Sequence, residues 1–136
     1  MDHSAPSPEH SALLAAARAA SQSAYCPYSG FHVGAAIRAG GRTFVGANVE
    51  NASYGLTVCA ERVAAFAAIV AGATRFEAIA VACVDAPDGS DPALAMPCGA
   101  CRQVLAEFAD PATPVAIDRV GIFPLGDLLP HAFRLR

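Results

Sequence analysis

The sequence predicts an α/β domain of three layers, a five-stranded sheet with helices on its faces. Three observations predict it. An Ala/Leu-rich helical stretch opens the chain, a Gly40-Gly41 pair joins two apolar runs, and two later helix starts alternate with short apolar segments, so the order reads α-β-β-α-β-α-β-β.

Each element has a local cause. A tail over residues 1–8 runs into Ser7-Pro8-Glu9, a helix start with a Ser cap, Pro in the first turn and an acid near the positive end of the dipole. The first helix extends to about Ser23. Phe31 to Ala39 and Arg42 to Ala47 form a β-hairpin, because Gly40-Gly41 suits the tight turn between them. Asn48 to Val58 is a polar, irregular loop. Cys59 to Ala71 is the second helix, stopped by Gly72. Phe76 to Val84 is apolar throughout and reads as a buried strand, and Asp85 to Met96, rich in Asp, Pro and Gly, is a surface loop. Gly99 to Ala109 is the third helix, Val115 to Asp118 and Gly121 to Phe123 are short strands, and Leu125 to Leu129 is a final short helix.

Composition narrows the function. At 136 residues the chain has the length of a single domain, taken here as 1–136, and its hydrophobic fraction of 54% lies above the usual ~45–50%, which suggests subunit contacts. No run approaches the ~20 apolar residues of a membrane span, and the stretch from Ala64 to Ala71 lies between Arg62 and Arg75. Met1 to Glu9 lacks a positive region, so no export signal is expected. Five cysteines, an odd number, argue for a reducing cytoplasm over a disulfide scaffold. The basic residues are nine scattered arginines against twelve acids, a net charge of −3. Phosphate-rich partners need clustered cations, so nucleic acid is disfavoured and a neutral small molecule is expected.

Chemistry concentrates in Cys59-Ala60-Glu61 and Pro97-Cys98-Gly99-Ala100-Cys101. One thiol from one helix start and two more from another, three residues apart, can reach one ion, and a catalytic zinc site takes three protein ligands and leaves a fourth position open. Helix N-termini lower thiol pKa values toward the thiolate that zinc requires. Glu61, in the first turn, can lean toward such a metal without binding it. The pattern matches the all-cysteine form of the zinc deaminase signature. Cys83, in an apolar run, and Cys26, in a turn-like segment, are the two thiols left over; a closed four-cysteine structural site remains the alternative. Three thiolates give a zinc site a net charge of −1, and Arg62 is the nearest cation able to offset it; its alternative is a helix-surface charge.

Longer runs extend the match. Tyr25-Cys26-Pro27-Tyr28-Ser29-Gly30-Phe31, Val33-Gly34-Ala35-Ala36, Gly46 to Gly55, Thr57 to Arg62, Pro97 to Val104 and Leu128 to Phe133 together make the chain resemble a cytidine deaminase of the small, homotetrameric, three-cysteine kind. The resemblance implies a three-layer α/β/α sandwich with a mixed five-stranded sheet, one Zn2+ per subunit on Cys59, Cys98 and Cys101, and Glu61 carrying protons from the attacking water to the pyrimidine N3 and the departing amine. It implies that zinc-activated hydroxide attacks C4 of cytidine or 2′-deoxycytidine, releasing ammonia in pyrimidine salvage. Asn48 and Glu50 would bind the ribose 3′-hydroxyl, Phe31 would pack against the base, and the backbone around Ala60 and Cys98 would meet the ring's polar edge. Tyr54 and Phe133 would act across subunit boundaries. His32 stands where the family often has Pro, and no catalytic role is expected for it. From the residues alone, Phe31 could equally be core, and Asn51 and Ser53 read as turn formers. Two rivals remain open: deamination of a nucleoside-like antibiotic or of a base in nucleic acid, and a non-catalytic zinc module closed by Cys26 or Cys83.

Overall fold

The computed structural model describes residues 7–135. Helix α1 spans Pro8–Ser21, capped by the Ser7 hydroxyl, which accepts from the His10 N–H at 3.3 Å. Residues 1–6 of the expected tail lie outside the described residues, and Ser7 and Pro8 belong to this helix. Strands β1 (Val33–Ala39) and β2 (Arg42–Ala47) form the hairpin. Gly40 and Gly41 both have positive φ, 59° and 72°, the conformation that matches a two-residue turn to the twist of its strands. Helix α2 (Ala60–Val70), strand β3 (Phe76–Cys83), helix α3 (Gly99–Phe108), strands β4 (Pro114–Ile117) and β5 (Gly121–Pro124), and the short helix α4 (Leu125–Leu128) complete the order. Single 3-10 turns, Tyr54–Leu56 and Pro92–Ala95, punctuate the two long loops.

The sheet order is β2-β1-β3-β4-β5. β1 is antiparallel to β2 and β3, β3 is parallel to β4, and β4 is antiparallel to β5, so the sheet is mixed. A parallel pair needs a crossover, and α3 provides it.

β3 is buried on both faces, and alternation sorts its side chains. Ala78, Ala80 and Ala82 face Leu13, Leu14 and Ala17 of α1, whereas Ile79, Val81 and Cys83 face the α2 and α3 side with Ile37, Leu105, Val115 and Ile117. Small residues let the helices lie close to the sheet. A Cβ on Gly34 would sit 1.8 Å from the Ala17 carbonyl oxygen, and one on Gly46 would sit 2.4 Å from the Ala64 nitrogen, so these glycines are the floor on which α1 and α2 rest.

β1 begins at Val33 instead of Phe31 because a side chain intervenes. Asn48 Nδ2 donates to the Phe31 carbonyl at 2.8 Å and its Oδ1 accepts from the Val33 N–H at 2.9 Å, replacing the ladder there. The remaining boundaries differ from the sequence expectation by one or two residues. With α2 and α3 on the same face, their N-termini meet at one edge of that layer.

Candidate active site

Cys59 and Cys98 are the N-cap residues of α2 and α3, both in extended conformation, and neither sulfur caps its own helix. Cys101 follows one turn into α3, fully buried. The three sulfurs all lie within 4.8 Å of one another, with Cys59 to Cys98 at 3.9 Å and Cys98 to Cys101 at 3.4 Å. Tetrahedral zinc with bonds of about 2.3 Å would set its sulfurs about 3.8 Å apart, so the spacing fits the ion and leaves a fourth position.

The electrostatics agree. The Cys59 thiol is pushed down to about 5, chiefly by the hydrogen bond from Cys101 and, against the effect of burial, by Arg62 and Cys98. Cys101 is pushed up by its hydrogen bond to Cys59 and by burial. Zinc binds thiolates, so a cation among these sulfurs favours their ionised forms.

Cys83 and Cys26 lie outside this cluster. Burial, reinforced by the nearby Glu61 charge, pushes Cys83 up to about 12, and its sulfur faces the Ala95 carbonyl at 3.8 Å. Burial also raises Cys26. Among the described residues the metal-binding group has three members, and a closed four-cysteine site is not formed.

Glu61, in the first turn of α2, is 4% exposed. Burial raises its pKa to about 7, with the Cys59 charge pushing the same way and Arg62 opposing. A carboxyl that holds and gives up a proton near neutrality beside three thiols has the properties of a general acid and base. Arg62 Nη2 donates to Cys59 Sγ at 3.6 Å, and this contact raises the guanidinium's own pKa. Its Nε is buried with no partner among the described residues, so the group retains donor capacity.

The remaining expected site residues divide into two groups. Asn48, Glu50 and Phe31 belong to one connected loop system. Glu50 accepts from the Tyr28 and Ser29 N–H groups at 3.0 and 3.1 Å and from the Ser29 hydroxyl, which lowers its pKa. Asn48 is spent largely on the backbone around Phe31, whose side chain packs on the core. Each still has room for a further partner: one hydrogen on Asn48 Nδ2 and lone pairs on Glu50. Ala60 is fully buried, and neither its N–H nor that of Cys98 has a partner among the described residues. Tyr54 and Phe133, 90% and 67% exposed, stand on the surface of the chain.

Asn51 Oδ1 accepts from the Ser53 N–H at 2.8 Å, the expected turn. His32 is paired, its N–H and Nδ1 both 2.7 Å from Asp85 Oδ2. Sequence reasoning assigned no role to Arg102 and Gln103. Arg102 Nε donates to the Pro97 carbonyl at 2.7 Å and Nη1 to that of Leu128 at 2.6 Å, while Gln103 Nε2 donates to that of Phe133 at 3.1 Å. Their adjacency to Cys101 was the available signal.

Known proteins are similar to this chain in sequence and fold. The family model described as the cytidine and deoxycytidylate deaminase zinc-binding region matches residues 7–117. A cytidine deaminase of Sporosarcina psychrophila is 42% identical over 126 residues, 89% of this chain and 88% of the relative. One of Mycobacterium tuberculosis is 46% identical over 132 residues, 96% and 93% of the two chains. The crystal structure of cytidine deaminase from Burkholderia pseudomallei is similar with a TM-score of 0.79 at 47% identity, covering 91% of this chain and 98% of that one. That of the M. tuberculosis enzyme gives 0.80 at 41%, covering 95% and 100%. With three thiols poised for one zinc ion and a buried glutamate beside them, this chain belongs to the zinc-dependent cytidine and deoxycytidylate deaminase family.

Proposed function

We propose that this chain hydrolyses cytidine and 2′-deoxycytidine to uridine and 2′-deoxyuridine with release of ammonia, a step of pyrimidine salvage, working as a single catalytic domain over residues 1–136. The observation that carries the reading is the three-sulfur cluster at two helix starts with the buried Glu61 carboxyl two residues from Cys59. Cys59, Cys98 and Cys101 would hold zinc, which when bound supplies the Lewis acidity that makes a water reactive near neutral pH.

The chain's own residues do the rest. Glu61, as the carboxylate, takes a proton as water adds to C4 and passes it to the ring N3. It then takes the proton of the new C4 hydroxyl and delivers it to the exocyclic nitrogen, so that the C4–N bond breaks as the C4 carbonyl forms. Water and cytidine thus become uridine and ammonia with the carboxyl restored. Arg62, donating to Cys59, withdraws negative charge from a three-thiolate site. Asn48 and Glu50 offer their spare capacity to the ribose 3′-hydroxyl, Phe31 lies against the base, and the unpaired N–H groups of Ala60 and Cys98 meet its polar edge.

The enzyme works as a homotetramer whose sites are shared between subunits, with Tyr54 and Phe133 serving neighbouring chains. Support comes from their exposure, together with that of Leu56, Phe66 and Val70, all apolar. Sedimentation giving an active species of about 13.9 kDa would overturn this part. We place the enzyme in the cytoplasm, in keeping with its unpaired cysteines; among the described residues no helix is long and apolar enough to cross a membrane.

Turnover measured across cytidine, 2′-deoxycytidine, free cytosine, cytidine monophosphate, blasticidin S and single-stranded DNA tests the substrate class. Turnover of the two nucleosides, with the others poor, is the expected result, because the ribose pair rewards a sugar and the scattered arginines offer little to phosphate. Preference for the antibiotic, the nucleotide or DNA would redirect the assignment.

A further inference from the structure

The side chain that follows the last metal ligand grips the peptide that precedes the first ligand of α3. Arg102 is half-buried, and among the described residues it makes no ion pair; its donors go to two carbonyls from different segments, Pro97 before α3 at 2.7 Å and Leu128 at the end of α4 at 2.6 Å. Pro97 is fully buried. The Pro97–Cys98 peptide is trans and planar, so the Pro97 C=O and the Cys98 N–H point in opposite directions and cannot turn independently. Holding the oxygen therefore aims the N–H. That N–H has no partner among the described residues, and it belongs to the residue whose sulfur lies 3.9 and 3.4 Å from the other two.

The second arm makes the grip rigid. Nε and Nη1 of a planar guanidinium point in different directions, so bonds from both fix the plane as well as the position. Leu128 ends α4, and the segment beyond it is tied to α3, the helix of Arg102, through Gln103 and the Phe133 carbonyl at 3.1 Å. A lysine, with one nitrogen on a flexible stem, cannot hold two such separated carbonyls in a fixed plane.

We propose that Arg102 is a positioning residue that locks the Pro97–Cys98 peptide plane, so that the Cys98 N–H stays aimed as a donor at an acceptor on the pyrimidine ring. The proposal rests on the deaminase reading above. It assigns Arg102 an effect on ring recognition, separate from any effect on the three thiolates.

The test uses the full-length, zinc-loaded protein with Arg102→Gln and Arg102→Lys. Zinc content, the absorption of the cobalt-substituted protein, uridine affinity and the kinetic constants for cytidine are measured for each. Both variants should keep one metal per chain and the wild-type cobalt–thiolate spectrum, while uridine binding and kcat/KM fall by about 10-fold or more. Should Arg102→Gln fail to fold, Arg102→Lys, which retains charge and stem, carries the test. Unchanged uridine affinity, or losses that track missing metal with normal activity per bound zinc, would overturn the proposal. Failure of the deaminase reading would appear differently, as a wild-type protein that does not turn over cytidine.

Discussion

Replacing Gly46 by alanine should damage stability and catalysis together, and the structure gives the size of the disturbance. A Cβ at this position would lie 2.4 Å from the Ala64 nitrogen, 2.6 Å from the Ala60 oxygen and 3.0 Å from the Val63 carbonyl carbon, all backbone atoms of α2. No side-chain rotation relieves such contacts. Reaching ordinary contact at 3.4 Å from 2.4 Å requires the helix to move by about 1 Å, and overpacking of this kind costs about 1–3 kcal/mol or more. The N-terminus of α2 carries Cys59, Glu61 and Arg62, whereas Cys98 and Cys101 sit on α3 and would not move with it. Misplacing reacting groups by about 1 Å can cost 10²-fold in rate. Gly34→Ala is the control, because its Cβ meets α1, 1.8 Å from the Ala17 oxygen, and α1 holds none of the proposed site residues. Thermal melts and turnover per bound zinc should separate the two: both variants lose stability, and Gly46→Ala alone loses activity per zinc. Equal activity losses in the two variants, or a Gly46→Ala protein of wild-type stability, would refute the reasoning.

Three further outcomes follow from the site. Glu50→Ala should raise KM and lower kcat for cytidine while affecting a 3′-deoxy analogue little, since losing the acceptor leaves the 3′-hydroxyl of cytidine unpaired and the analogue has no such hydroxyl to strand; equal losses on both would remove Glu50 from sugar recognition. Arg62→Gln should keep zinc yet lose about 10–100-fold in activity, with the limb of the pH–rate profile set by the acidity of the attacking water moving to higher pH; wild-type turnover with an unshifted profile would return Arg62 to the helix surface. Cys83→Ala and Cys26→Ala should leave zinc content at one per chain while Cys59→Ser lowers it, and metal loss from either of the first two would revive a four-cysteine site.

Local signals and distant contacts explain what the sequence disclosed and what it withheld. The helix starts at Ser7 and at the two cysteines, the Gly40-Gly41 turn and the stop at Gly72 are set by residues within a few positions, and the structure places them close to where the sequence does. The metal cluster was legible for the same reason: helix spacing puts Cys98 and Cys101 together, and only the meeting with Cys59 needed the fold. Glu61 lay between the two cases, because a position in the first turn permits an inward carboxyl but burial fixes it. The strand start at Phe31 was misplaced because an amide 17 positions away takes over the backbone bonds there. Arg102 and Gln103 bind carbonyls 26 and 30 positions away, and Gly34 and Gly46 matter only because helices press on them. A single sequence carries no local mark of such contacts.

In the proposed reaction a three-thiolate zinc site works through the Glu61 carboxyl. Its most direct test compares wild type with Glu61→Gln, each with zinc content measured, for ammonia and uridine formed from cytidine. The amide fills the same space and leaves the sulfurs untouched but cannot carry protons. The account predicts equal fold and zinc in both proteins, equimolar uridine and ammonia from wild type, and a rate lower by at least ~10²–10⁴-fold in the variant. Turnover by zinc-loaded Glu61→Gln at the wild-type rate would contradict it.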